Sequence, residues 1–177
     1  MDINKLAAFS APYYQTKDIM HNLRHIELVC KAAQHIIKAG KYAVDHDCIL
    51  AAAYFHGFIN SHEDNIREWL FAQGFTQAQT DKTITAAQES QTESQPKTLE
   101  GMILHDAHLI EGGKAYMITK CLITGSVRGQ TLLQTIDYIG KNILFKRKCY
   151  LPETIPLFEE ANKYTSDFLY ELKKGIL

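Results

Sequence analysis

The sequence predicts an all-α fold, and three observations indicate it. Apolar residues recur at spacings of three and four in successive long segments, as on one face of a helix. No run alternates between apolar and polar residues for long enough to make a strand. Only four prolines interrupt the 177 residues, which leaves room for long helices. At this length we expect a single domain, residues 1–177, built as a helical bundle.

Composition and charge argue against several classes of protein. The 46% hydrophobic content is typical of a globular protein with a real core. The 19 basic and 20 acidic residues give a net charge of −1, which does not indicate a nucleic-acid groove or a membrane-binding surface. No apolar run approaches the length of a membrane span, and the N-terminus lacks the pattern of a signal peptide. We therefore expect a cytoplasmic protein.

The four cysteines are widely spaced and form no CxxC pair, so we expect reduced thiols rather than a disulfide framework or a structural zinc site.

Three helices and a short loop are predicted in the first 60 residues. Asp2 can cap a short helix, which we expect to end in a loop over residues 11–15 around Pro12. A long helix is predicted from residue 18 to residue 39, before Gly40. Its core stripe consists of Ile26, Val29, Ala33, Ile36 and Ile37.

The alanine-rich segment 47–60 predicts the third helix, capped by Asp45 or Asp47. Ser61 resembles the start of a capping box for the next helix, which Gly74 would end. The polar segment 89–97 predicts a loop that either lines a site or acts as a linker. Helices are predicted over residues 61–74, 76–90, 98–110, 115–122, 130–148 and 157–173.

Three polar residues fall on or beside faces that are otherwise apolar. His56 shares a face with Ile49, Ala52 and Ala53, so it points towards the core. His25 lies at the edge of the core stripe of its helix, one turn after His21. Asp106 shares a face with Ile103, Ala107 and Ile110.

Each of these residues also has an explanation without a ligand. An inward histidine is commonly a core residue whose ring nitrogens are hydrogen-bonded. A buried carboxylate must be paired, hydrogen-bonded or bound to a metal, because leaving it alone costs several kcal/mol. An Asp106–His56 ion pair would satisfy both residues. His105 and His108 point away from the face of Asp106, and we expect them at the surface or at its boundary.

Histidine and carboxylate together form a ligand set that suits Mn, Fe, Zn or Mg rather than copper or an iron–sulfur cluster. His25, His56 and Asp106 are predicted on three separate helices. If these helices bring the three side chains together, the sequence predicts a divalent metal site.

The order of these residues resembles the HD domain, a superfamily of metal-dependent phosphohydrolases. The resemblance covers residues 18–125, with the helices of 130–174 expected to pack on that part. The segments that carry the resemblance are HIELVCKA from His25, AAYFHG from Ala52, HEDNIREWLFAQGF from His62 and TLEGMILHDAHLIEGG from Thr98.

The resemblance implies a role for each matching residue. His25 matches the first metal-binding histidine, His56 the histidine of the HD pair and Asp106 the distal metal-binding aspartate. His62 lies where members with two metals place a further ligand. Gly57 replaces the aspartate of the HD pair, which in the family binds the metal and orients the attacking water.

Two further positions depart from the family. A histidine before Ser90 is missing, and His108 replaces the second aspartate of a DAD segment. A rearranged site, in which His62, Glu63 or Glu89 supplies a ligand, is an alternative. Arg24 and Glu63 are candidate catalytic residues, and Arg24 or Lys97 is a candidate for holding a phosphate.

Two hypotheses of function follow from the resemblance. One is a metal-dependent phosphohydrolase that acts on a phosphomonoester or a nucleotide. The other is a catalytically inactive HD-like protein that binds a metabolite, a nucleotide or a protein partner. The glycine at position 57 favours the second hypothesis, and the retained His25, His56 and Asp106 favour the first.

Overall fold

The computed structural model describes residues 1–176, and this part of the chain is all-helical, as the sequence predicts. It contains nine helices and no strand. They are α1 (Ile3–Tyr14), α2 (Leu23–Gly40), α3 (His46–Phe55), α4 (Ile59–Ala72), α5 (Gln77–Glu89), α6 (Leu99–Ile110), α7 (Gly113–Val127), α8 (Leu132–Asn142) and α9 (Ile155–Ile176). None of these helices is both long enough and apolar enough to cross a membrane.

The helices bury two groups of apolar side chains. The larger core lies among α1 to α6, where α2 packs on α6 and α3 packs on α5. Its fully buried side chains include Leu6, Ile26, Phe55, Ile66 and Leu104. The smaller core lies among α7, α8 and α9, around Ile136, Ile139, Leu144 and Leu169. The candidate site described below draws residues from both groups of helices.

The predicted long helix begins five residues later than expected, at Leu23. Asn22 is its N-cap, and the Asn22 side chain accepts a hydrogen bond from the backbone N–H of Arg24. Asp18 likewise accepts a hydrogen bond from the backbone N–H of Met20. Short polar side chains that bond to nearby backbone favour turns over helix, so 15–22 forms a connection. In contrast, α1 continues through Pro12 to Tyr14, where a loop was predicted.

The helix boundary near His56 also differs from the prediction. Helix α3 ends at Phe55, and His56 is its C-cap. Helix α4 begins at Ile59 and is kinked at His62, so Ser61 is not the cap that its sequence suggests. The predicted helix 130–148 ends at Asn142, and Phe145 further on has a left-handed backbone with φ of 58°. These breaks place His56 at the end of a helix, beside a turn.

Candidate metal centre

Three histidines from three helices meet in the structure. His25 lies in the first turn of α2, His56 at the end of α3 and His108 in the last turn of α6. One nitrogen from each ring lies within 4.8 Å of the others, a spacing at which the three could hold a metal ion. The ring centroids are 6.0 Å apart for His25 and His56, 5.0 Å for His25 and His108, and 4.4 Å for His56 and His108.

A buried carboxylate fixes the ring of His25. The Nδ1 atom of His25 lies 2.6 Å from Oε2 of Glu111, and both side chains are 3% exposed. Glu111 is also paired with the ammonium group of Lys120 on α7. An ionised carboxylate only accepts hydrogen bonds, so Nδ1 of His25 must carry the proton. The lone pair of Nε2 is therefore left for a ligand, as in histidines that bind metals.

The ring of His56 is fixed in a similar way by Ser90. The Ser90 hydroxyl donates its hydrogen to the carbonyl oxygen of Ala87 at 2.6 Å. Its oxygen lies 2.7 Å from Nδ1 of His56, so this contact requires His56 Nδ1–H to donate. The Gln91 amide donates to the carbonyl oxygen of His56 at 2.8 Å. Nε2 of His56 is then unprotonated and can act as a ligand.

His108 has a buried ring nitrogen without a partner. No group in the described part of the chain hydrogen-bonds to its Nδ1 atom. Buried polar atoms are normally satisfied, so an orphaned imidazole nitrogen beside two other imidazoles fits a metal ligand. The unpartnered nitrogen of His108 is thus the observation that makes the three histidines fit a metal ion.

The surroundings keep two of the rings neutral. Burial, followed by the nearby charges of His25 and Lys120, lowers the pKa of His56 to about 3. Burial, followed by His56 and Lys120, places the pKa of His108 well below its usual value. Metals bind the neutral imidazole, so these rings are in the form needed for ligation at neutral pH.

The histidines line a cavity of about 540 Å³ between the two groups of helices. Helices α7 and α8 contribute apolar side chains, among them Met117, Ile139 and Ile143. The cationic side chains that line the cavity are Lys17, Lys120, Arg128 and Arg147, and the acidic ones are Asp18 and Glu111. Asp18 contacts His21, with Nδ1 of His21 2.8 Å from its Oδ2 atom. Basic groups thus outnumber acidic ones around the three histidines.

Asp106, a predicted ligand, lies outside this group of three histidines. Its carboxylate is fully buried and accepts hydrogen bonds from the backbone N–H groups of Tyr150 (2.9 Å) and Leu151 (2.8 Å) and from the Thr154 hydroxyl (2.6 Å). Residues two positions apart on a helix point about 200° apart around its axis. With Asp106 turned towards 150–154, His108 faces the other histidines, at a half-buried position. His105 is buried against Asp106.

The other candidate residues from the sequence also lie elsewhere. His62 contacts the rings of Tyr13 and Phe58, not the three histidines. Arg24 pairs with Glu27 at the exposed surface, 2.5 Å away. Glu63 pairs with Arg67, 3.0 Å away. None of these residues lines the cavity.

The two residues proposed around the polar loop also lie outside the site: Lys97 is exposed and does not line the cavity, and Glu89 is engaged in hydrogen bonds elsewhere. The Glu89 carboxylate accepts hydrogen bonds from the backbone N–H groups of Lys97 and Thr98, each at 3.0 Å. Glu89 therefore fixes the start of α6 rather than supplying a ligand. Within 89–97, only Gln91 and Thr92 line the cavity.

Gly57, which the sequence resemblance aligns with the aspartate of the HD pair, is packed against Tyr14. The Tyr14 hydroxyl donates to the carbonyl oxygen of Tyr54 (2.8 Å) and accepts from the Gly57 N–H (3.1 Å). A Cβ atom at position 57 would lie 2.8 Å from the Tyr14 ring and hydroxyl, which is closer than such contacts allow. The glycine therefore matches a specific neighbour and is not merely a missing ligand.

Known structures share this fold. No family model matches the chain, and no curated protein matches it. The crystal structure of Bacillus subtilis YpgQ in complex with ADP has a TM-score of 0.78 at 16% identity, with 99% of this chain and 98% of that chain covered. Another structure of YpgQ has a TM-score of 0.75 at 17% identity and covers 99% and 98%. A Lactobacillus plantarum structure has a TM-score of 0.77 at 17% identity and covers 98% and 95%. The chain therefore shares the all-helical fold of these structures.

The sequence analysis missed three residues of the site. His108 is two positions after Asp106, and a choice between them needed the neighbours of α6. Glu111 and Lys120 were not singled out because each lies near the end or the edge of a predicted helix. The DAH triplet, which departs from the DAD segment of the HD domains that the sequence resembles, was a usable signal for His108.

Proposed function

We propose that this protein is a metal-dependent phosphohydrolase of the HD type that acts on a phosphomonoester or a nucleotide. The observation that carries the proposal is the group of His25, His56 and His108, with one ring nitrogen of each within 4.8 Å of the others. Hydrogen bonds hold two of these rings with Nε2 unprotonated, and the third has an orphaned nitrogen.

The proposed ligand set is His25, His56 and His108, in place of the set with Asp106. Three neutral nitrogen donors suit Zn or Fe better than Mg or Mn, which prefer oxygen ligands. Three protein ligands leave positions open, as in catalytic zinc sites. A divalent metal held here would supply a water of lowered pKa and polarise a phosphoryl oxygen.

The cavity beside the histidines supports a phosphorylated substrate. Its volume of about 540 Å³ falls in the range of small-molecule sites. Lys17 and Arg128 place positive charge on its wall, and the apolar side chains of α7 and α8 provide room for a non-phosphate part. YpgQ, which shares the fold, has been crystallised with ADP. In the proposed reaction, water adds to phosphorus and the ester P–O bond breaks, which yields phosphate and an alcohol.

A second candidate is an HD-like protein that binds a phosphorylated ligand without hydrolysing it. The contact between Gly57 and Tyr14 favours this alternative, because it excludes a carboxylate from the position next to His56. Among the described residues, the three-histidine group contains no carboxylate ligand. The hydrolase and the binding protein would both use the metal site and the cavity, and they differ only in whether the bound ligand is hydrolysed.

The test first measures the metal content of the protein and then its turnover of phosphorylated compounds. Purified protein is incubated with Zn²⁺, Fe²⁺ or Mn²⁺, desalted and analysed by elemental mass spectrometry, with His56→Ala as the site variant. His35→Ala is the matched control, because His35 is an exposed residue outside the group. Metal-loaded protein is then tested for phosphate release from nucleotides and simple phosphomonoesters.

Near-stoichiometric metal that is lost in His56→Ala and kept in His35→Ala, together with phosphate release, is the expected result. Metal without turnover of any of these compounds would favour the binding protein. No retained metal would reject both the metal site and the hydrolase.

A further inference from the structure

Lys120 is the least explained charged group beside the histidines. It lies on α7, lines the cavity and has a side chain that is 16% exposed. Its ammonium group pairs with Glu111 and lies 3.3 Å from Nδ1 of His25. Lysine is strongly hydrated, and its side chain is rarely shielded from solvent unless its ammonium group is paired.

The hydrogen bonds of Lys120 leave donors unused. An ammonium group has three N–H donors, and Glu111 accepts one of them. The nearby Nδ1 of His25 already carries a proton for Glu111, so it cannot accept another. No other acceptor for Lys120 occurs among the residues that the structure describes. Two donors therefore have only the cavity in which to find a partner.

From this geometry we propose that Lys120 contacts the phosphoryl group of a ligand bound at the three histidines, and that Glu111 is the positioning residue that holds Lys120 there. The proposal rests on the proposed function and names one residue of its substrate site. Glu111 neutralises one charge and directs His25 with its other oxygen. A single carboxylate thus links the orientation of a histidine ligand with the placement of a cation for the anionic substrate.

The other cations of the cavity are less constrained. Lys17 donates to the carbonyl oxygen of Gly57 at 3.2 Å, and Arg147 pairs with Glu93 at 2.7 Å. Lys120 differs because it is the cation whose ammonium group contacts the partner of a ligand histidine. Hydrogen bonds that involve charged groups are the strong ones, so the unused donors of Lys120 can contribute to anion binding.

The experiment compares two variants that share one change. Glu111→Gln keeps the ammonium group, whereas Lys120→Gln/Glu111→Gln removes it without leaving a buried unpaired carboxylate. Inorganic phosphate is the probe, and its affinity is measured by calorimetry for metal-free and metal-loaded protein. Lys163→Gln, which breaks an exposed pair with Asp167, is the matched control for loss of one positive charge. Thermal melts establish that each variant is folded.

We expect the double variant to bind phosphate about ten- to a hundredfold more weakly than the native protein, the size of one charged hydrogen bond, and Glu111→Gln to fall between the two. Lys163→Gln should bind like the native protein. Lys120→Arg should recover most of the affinity, since it keeps a cationic donor at this position.

Phosphate affinity in the double variant equal to that of the native protein would overturn the roles of Lys120 and Glu111 and leave the proposed function standing. An equally large loss in Lys163→Gln would also overturn them, because the effect would then come from net charge. No binding of phosphate by the native protein, with or without metal, would count against the proposed function itself.

Discussion

Helix α6 carries a polar cluster on each of two opposite faces, and the two clusters differ in how their hydrogen bonds are satisfied. On one face, the Asp106 carboxylate accepts hydrogen bonds from Tyr150, Leu151 and Thr154. On the other face, His108 meets His25 and His56 and has a ring nitrogen without a partner. The Asp106 carboxylate is fully buried, whereas the histidines line the cavity and one of them has an unpartnered ring nitrogen.

The difference separates a structural polar cluster from a candidate functional one. The Asp106 carboxylate anchors the segment before α9 to α6, because that segment donates two backbone N–H groups to it. A carboxylate supplied with that many donors has no need of a metal. The three imidazoles have ring nitrogens close enough together to hold a metal ion.

The largest expected effect is the loss of the Asp106 anchor. Asp106→Ala leaves two buried N–H groups and a hydroxyl without their acceptor and opens a cavity. We expect it to lower the free energy of unfolding by about 3–5 kcal/mol, measured by urea denaturation of the metal-free protein. Asp167→Ala, on the exposed side of α9, should leave the midpoint unchanged. A small loss for Asp106→Ala would mean that the segment before α9 is held mainly by apolar packing.

The next effect concerns metal affinity on the other face of α6. His108→Ala removes one of three nitrogen ligands, and we expect at least a hundredfold loss of Zn²⁺ affinity, or about 2.7 kcal/mol. Asp106→Asn is nearly isosteric with the native residue. It should retain the native Zn²⁺ affinity under conditions in which the variant is folded. Competition with a chelating dye measures both. Loss of affinity in Asp106→Asn with none in His108→Ala would restore the ligand set that the sequence first suggested.

A pH effect should distinguish the two faces in the metal-free protein. The pKa of His56 is lowered from about 6.5 in the unfolded chain to about 3 when folded, so between these values the unfolded state binds more protons. Stability is therefore full above pH 6.5 and falls as the pH is lowered towards 3. His56 should account for about 2 kcal/mol between pH 7 and pH 5. His56→Gln should flatten this dependence in denaturation curves, and an unchanged slope would contradict the neutral buried ring.

The smallest expected effect tests the wall of the histidine site. The resemblance to the HD domain suggests that Gly57→Asp would raise metal affinity, but Tyr14 occupies the space of the new side chain. We now expect Gly57→Asp to destabilise the protein by about 1–3 kcal/mol and not to raise Zn²⁺ affinity. Tyr14→Ala/Gly57→Asp, which makes room, should bind Zn²⁺ more tightly than Tyr14→Ala. A higher affinity in Gly57→Asp alone would show that Tyr14 moves aside.

The sequence by itself determined the helical class and most of the helices. Apolar periodicity depends on local spacing, so the core stripe of α2 and the stop at Gly74 could be predicted without neighbours. The sequence also indicated His25 and His56 as site residues, because each falls on or beside an apolar face of its helix. Helix ends were less predictable. At Asn22 and His62, side-chain caps and packing against Tyr13 and Phe58 decided where the helices begin and bend.

Tertiary structure alone decided which polar residues meet. Both Asp106 and His108 lie on α6, and the sequence does not say which of its faces meets α2 and α3 and which meets the segment before α9. Glu111 and Lys120 come together with His25 only because α2, the end of α6 and α7 converge. A local pattern specifies the face of one helix, whereas a site depends on the relative placement of several helices, which is set by packing over the whole core.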